Sequence, residues 1–112
     1  MKHYELISIF KPDLSKSAFE DLTNKIKKII KDLGGNIAGE EIWALKDFAY
    51  TIKKYKKGYY IFLQIDMKTN KLSSINNSLN LDENILRYLL VKVDNHEKLP
   101  TIILKNRENN EK

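Results

Sequence analysis

Residues 4–10 (Tyr-Glu-Leu-Ile-Ser-Ile-Phe) are rich in β-formers and stop at Lys11-Pro12-Asp13, which predicts a first strand closed by a turn. Ser15 or Ser17 then offers a helix N-cap, and Ser17 with Glu20 has capping-box spacing. Phe19, Leu22, Ile26, Ile29, Ile30 and Leu33 recur at helical spacing, and Gly34-Gly35 ends the helix as a left-handed cap. Residues 36–55 carry β-formers without a helical period and predict one long strand, bent near Asp47. Lys56-Lys57-Gly58 predicts the next turn, and residues 59–65 (Tyr-Tyr-Ile-Phe-Leu-Gln-Ile) a third strand. Leu72, Ile75 and Leu79 mark one face of a short second helix. A polar turn over residues 80–84 leads into a fourth strand over residues 85–93. The order β-α-β-β-α-β predicts an α+β, ferredoxin-like sandwich, with a four-stranded antiparallel sheet and both helices on one face. The expected core is Leu6, Phe19, Leu22, Ile26, Ile30, Ile61, Leu63, Ile65, Leu72, Ile75, Leu79 and Leu90.

An antiparallel sheet covered on one side should alternate apolar and polar residues. These strands do not. With the helices on one face, the other still carries Ile7, Ile9, Tyr60, Phe62, Leu89 and Val91. An apolar patch of that kind marks a partner surface, unless the long second strand or the C-terminal tail folds over it. The tail begins at residue 94. It is polar and charged except for Leu99-Pro100-Thr101-Ile102-Ile103-Leu104. The chain therefore divides into a folded domain over residues 1–93 and a flexible polar tail over residues 94–112, with Ile102, Ile103 and Leu104 expected to order against a partner.

Composition narrows the choice of function. The 112 residues are 42% hydrophobic and 31% charged, which suits one domain with a heavily charged surface. No apolar run approaches the ~18 residues of a membrane span, and the N-terminus does not resemble a signal peptide. The absence of cysteine removes disulfides, thiolate metal sites and cysteine nucleophiles. A net charge of +5 and a pI near 9.3 favour an anionic partner, nucleic acid first. Candidate chemistry is sparse. His3 and His96 stand alone, without cysteine or a carboxylate at ligand spacing, so no metal or cofactor is expected. Glu40-Glu41 and Asp82-Glu83 read as solvated turns, and no nucleophile–base combination stands out, so an enzyme is not expected. Lys57-Gly58-Tyr59-Tyr60-Ile61-Phe62 partly matches the third strand of an RNA-recognition motif, whose aromatic rings stack on bases.

The segment Trp43-Ala44-Leu45-Lys46-Asp47-Phe48-Ala49-Tyr50-Thr51-Ile52-Lys53-Lys54 resembles a block of the bacterial-type small-subunit ribosomal protein six family. Three further landmarks are similar to that family and fall in the same order: His3-Tyr4-Glu5 with Pro12-Asp13, the Gly58-Tyr59-Tyr60 step, and residues 82–87 ahead of the fourth strand. The resemblance spans residues 2–93. It implies a ferredoxin-like, non-enzymatic, cytoplasmic constituent of the small ribosomal subunit. Such a protein binds the central domain of small-subunit (16S-type) rRNA together with ribosomal protein eighteen. Carried over by position, Lys2, His3, Lys46, Tyr50, Lys53, Lys54 and Arg87 are candidate RNA or partner contacts, joined by the aromatic Tyr60 and Phe62 of the third strand. The chain departs from the family pattern at Ala44, where glycine is usual, and at Thr51, where proline is usual. Leu45 and Asp47 flank Lys46 where many members have adjacent basic residues. The alternative is a stand-alone ferredoxin-like module that binds a small ligand, or associates with itself, through the open sheet face.

Overall fold

A computed structural model describes residues 1–99. In chain order the elements are β1 (Lys2–Phe10), α1 (Lys16–Asp32), β2 (Asn36–Ile52), β3 (Tyr55–Met67), α2 (Leu72–Asn80, entered through a 3-10 turn at Thr69–Lys71) and β4 (Ile85–Val93). The described strands form a four-stranded sheet in the order β2-β3-β1-β4, and each neighbouring pair is antiparallel. Each outer strand follows a helix, β2 after α1 and β4 after α2, and β1 and β3 lie side by side between them, so this order is the split β-α-β arrangement of a ferredoxin-like sandwich.

Helix α1 starts where Ser15 Oγ accepts the Ala18 backbone N–H at 3.1 Å, so Ser15 and not Ser17 is the cap. It ends in a Schellman motif. Gly34 N–H bonds Lys31 O and Gly35 N–H bonds Ile30 O, with Gly34 at φ +83°. One face of the sheet and both helices share a single core made of Leu22, Ile26 and Ile30 of α1, Ile75 and Leu79 of α2, and Tyr4, Leu6, Phe10, Ile61, Leu63, Ile65, Met67 and Ile85 of the strands. Phe19, Leu72 and Leu90 pack at its rim, so all twelve residues expected in the core lie in or against it.

The hairpin between β2 and β3 corrects the sequence reading. The turn is not at Lys56-Lys57-Gly58. Ile52 pairs with Tyr55, and Lys53 and Lys54 form the two-residue loop, both at positive φ (49° and 75°). Positive φ at both central residues is type I′ geometry, whose twist matches that of the flanking strands. Gly58 lies inside β3, opposite Lys46. Its role is close approach, because a Cβ there would stand 2.8 Å from both Ile9 Cγ2 and Phe10 O and 2.9 Å from Phe48 Cζ.

Candidate nucleic-acid interface

The sheet face away from the helices is formed by the residues that point opposite to the core set. On β1 these are His3, Glu5, Ile7 and Ile9. Their partners on β3 are Asp66, Gln64, Phe62 and Tyr60, and on β4 Val93, Val91, Leu89 and Arg87. This face has a centre and two ends.

At the centre Phe62 is 2% exposed and Trp43 5% exposed, although neither belongs to the main core. The two rings are stacked, with centroids 5.2 Å apart and planes 12° from parallel. Trp43 Nε1–H donates to Glu41 Oε2 at 2.7 Å. Glu41 is therefore buried within β2, not a solvated turn residue as the sequence suggested. Lys46 reaches back over this group, its Nζ 5.5 Å from the Trp43 centroid and 5.4 Å from that of Tyr60, which is cation–π range. Phe48 tilts against Tyr60 at 6.2 Å. Lys46, Tyr60 and Phe62 are thus brought together, but Phe62 lies beneath Trp43 and offers no ring face to a base.

The hairpin end carries the cations. Tyr50 is 87% exposed, and Lys53 and Lys54 are exposed at the tip. Lys53 and Arg87 line one surface cavity of about 440 Å³, together with Leu79, Asn80, Ile85, Leu86 and Tyr88. Two cations from distant parts of the chain therefore border one depression. Beyond Arg87 on the same strand, Leu89 and Val91 remain 56% and 39% exposed.

The other end is closed by the chain itself. Residues 94–99 return past β4 and lie against the sheet. Gln64 Nε2 donates to Glu97 O at 2.7 Å, and a Cβ on Gly39 would meet Leu99 Cδ1 at 2.7 Å. Here His3 and His96 are not lone histidines. His3 Nδ1 lies 2.5 Å and His96 Nε2 2.9 Å from the same Asp66 Oδ1, with the imidazole centroids 4.7 Å apart. Burial pushes the Asp66 carboxyl up, but the two imidazole hydrogen bonds and the charges of His96 and His3 together bring the group below the usual carboxylate value. The Glu5 carboxyl is raised by burial and by the nearby Glu97 charge, against a smaller opposing effect of His96. Lys2 is exposed beside this corner, and His3 is committed to Asp66. The tail residues Ile102, Ile103 and Leu104 lie outside the described residues.

Sequence reasoning missed Trp43, Glu41, Gln64, Asp66 and His96. The i, i+2 spacing of Glu41 and Trp43 on a strand is a local signal that they share a face. His3, Asp66 and His96 are separated by 63 and 30 residues; strand register joins the first two, and the return of the chain after β4 brings in the third.

A four-stranded sandwich with helices on one side, and exposed cations, an exposed tyrosine and an exposed apolar strip outside them, has the make-up of a binding module. The profile of one such family, described as ribosomal protein S6, matches residues 3–92. The chain is 39% identical over 106 residues to the small ribosomal subunit protein bS6 of Rickettsia prowazekii, covering 95% of this chain and 88% of that one. It is 33% identical over 107 residues to the protein of the same name from Parvibaculum lavamentivorans, covering 96% and 69% respectively. The crystal structure of 30S ribosomal protein S6 from Thermotoga maritima has the same fold, with a TM-score of 0.78 over 98% of this chain and 96% of that one, at 24% identity. The chain belongs to the ribosomal protein S6 family, whose members are structural, non-enzymatic constituents of the small ribosomal subunit. Among the described residues no helix is long and apolar enough to cross a membrane.

Proposed function

We propose that this protein binds the central domain of small-subunit (16S-type) rRNA together with ribosomal protein eighteen, and that it uses two parts of the surface to do so. The observation that carries the reading is the depression shared by Lys53 and Arg87, with exposed Tyr50 and Lys54 close to Lys53 along the chain. Lysine supplies a point charge to phosphate, arginine can fork onto it, and an exposed tyrosine offers a ring for stacking. The neighbouring Leu89 and Val91 form an apolar strip on an edge strand. That strip suits a protein partner better than a phosphate backbone. The tail residues Ile102, Ile103 and Leu104 are assigned to the same partner.

Reconstitution tests the reading. Purified protein, alone and with ribosomal protein eighteen, is mixed with a transcript of the rRNA central domain and resolved on a high-salt gradient. Joint retention of both proteins on the transcript, with weaker retention of this protein alone, is expected. Equal and weak retention with and without the partner would overturn the joint mode of binding.

A further inference from the structure

The corner formed by His3, Asp66 and His96 has the composition of a divalent-metal site, and the rRNA and partner surfaces described above make no use of Asp66 or His96. The three side chains come from the start of β1, the end of β3 and the segment after β4. His3 and Asp66 are direct cross-strand partners, so sheet register fixes their approach. His96 is brought in by the returning chain, whose path is also held by the Gln64 hydrogen bond to Glu97 O. One donor atom from each of the three, two imidazole nitrogens and a carboxylate oxygen, lie within 4.8 Å of one another. Tetrahedral ligands about 2 Å from a zinc ion stand roughly 3.3 Å apart, so a small adjustment of rotamers would seat the ion.

Charge points the same way. Three carboxylates, Glu5, Asp66 and Glu97, share this corner with two imidazoles. Asp66 spends a single oxygen on both rings. Among the described residues His96 forms its hydrogen bond through Nε2, and its buried Nδ1 has no hydrogen-bond partner. A cation placed between the two nitrogens and the oxygen would replace the shared protons and relieve the crowding of negative charge.

We propose that His3 Nδ1, His96 Nε2 and an Asp66 carboxylate oxygen form a three-ligand site for a divalent transition metal, zinc first, with water in the fourth position. Mixed nitrogen and oxygen ligands, without thiolate, suit zinc or its spectroscopic substitute cobalt. Such an ion would pin the segment after β4 to the sheet.

The test uses the full chain, treated with chelator and titrated with cobalt(II) and then zinc(II) at pH 7.5. One equivalent of cobalt is expected to give the intense visible bands of four-coordinate geometry, and zinc to displace it. His3→Gln, Asp66→Asn and His96→Gln should each weaken binding by more than about 100-fold, beyond the usual loss for an outer-shell partner. Circular dichroism checks that each variant is folded. The imidazole nitrogen resonances of His3 and His96 in the unmutated protein give a second readout that does not depend on the variants. Absence of a one-equivalent cobalt spectrum, affinity unchanged in folded variants, or unshifted His3 and His96 resonances at saturating zinc would each overturn the site.

Discussion

Trp43 lies flat on Phe62, with ring centroids 5.2 Å apart and planes 12° from parallel, on the sheet face that the helices leave open. The pair makes a second small core on the side expected to be bare. It also makes Trp43, the single tryptophan, a reporter of that face. Truncation of Trp43 to Ala should cost about 3–5 kcal/mol, typical of removing a buried aromatic side chain. Trp43→Phe keeps the stack and should cost far less. Urea unfolding of the two variants measures both values, and equal losses would show that the indole hydrogen bond to Glu41 matters more than the stack.

On the helix side, Ile26 is 3% exposed and belongs to the main core. Ile26→Ala should cost about 2–5 kcal/mol through lost burial and a residual cavity. A loss under about 1 kcal/mol in the same unfolding experiment would mean that the site collapses around the smaller side chain.

Two glycines separate two physical reasons for the residue. Gly34 has φ +83° and open space where a Cβ would go. Alanine there is penalised only by its backbone, at roughly 1 kcal/mol. Gly58 has ordinary strand backbone, but a Cβ would meet the Phe10 carbonyl at 2.8 Å. A backbone oxygen in the middle of the sheet cannot swing away. Gly58→Ala should therefore cost more than Gly34→Ala, in the range of about 1–3 kcal/mol for overpacking. The reverse order in thermal denaturation would show that β3 shifts to make room.

How far the sequence reveals this molecule follows from which signals are local. Helical spacing at Leu22, Ile26 and Ile30 marks the buried face of α1, and the alternation of Ile61, Leu63 and Ile65 marks that of β3. The hairpin turn is obscured for a local reason as well. Gly58 looks like a breaker, while the true turn residues, Lys53 and Lys54, are poor hosts for positive φ. The open face is legible as an apolar excess, and Ile7, Tyr60, Phe62 and Leu89 do lie on it. What covers it is not legible. The Trp43 stack depends on a register shift in β2 between Ile42 and Ala44, and the histidine corner depends on a return of the chain after β4. Both are set by tertiary packing. The cationic depression shared by Lys53 and Arg87 joins residues that no motif spacing relates.

Acid should weaken the fold through Asp82. Its carboxylate accepts Lys25 Nζ and the Asn84 backbone N–H, each at 2.9 Å. Burial pushes the group up, but the Lys25 hydrogen bond and the Asn84 amide, aided by the charges of Lys25 and Lys11, bring it below the ordinary carboxylate value. A carboxyl with a depressed folded pKa stabilises the protein above its unfolded value of about 4, and that contribution is lost as the pH falls through the folded value. Asp82→Asn should therefore be less stable than the parent at pH 7, and the gap should close as the pH drops below about 4. A gap of constant size down to pH 2 would mean that the asparagine loses packing and not charge.

The hairpin tip offers a test in which RNA binding and folding move in opposite directions. Lys53 and Lys54 adopt positive φ, a strained conformation for residues with a Cβ, and both are exposed to solvent. Replacing the pair with Asn-Gly, the sequence that type I′ turns favour, removes two charges and relieves the strain. The Lys53→Asn/Lys54→Gly protein should unfold at a higher temperature than the parent. If both lysines contact phosphate, the slope of log affinity against log salt for the rRNA–partner complex should fall by about 2, near 1 for each contact. Lys46→Gln, which removes a cation already engaged with the Trp43 and Tyr60 rings, should change the slope less and the stability more. Filter binding at several salt concentrations and a melting curve measure both quantities. A stabilised tip variant with an unchanged salt slope would assign Lys53 and Lys54 to solvent and leave Arg87 as the cation to examine at the RNA surface.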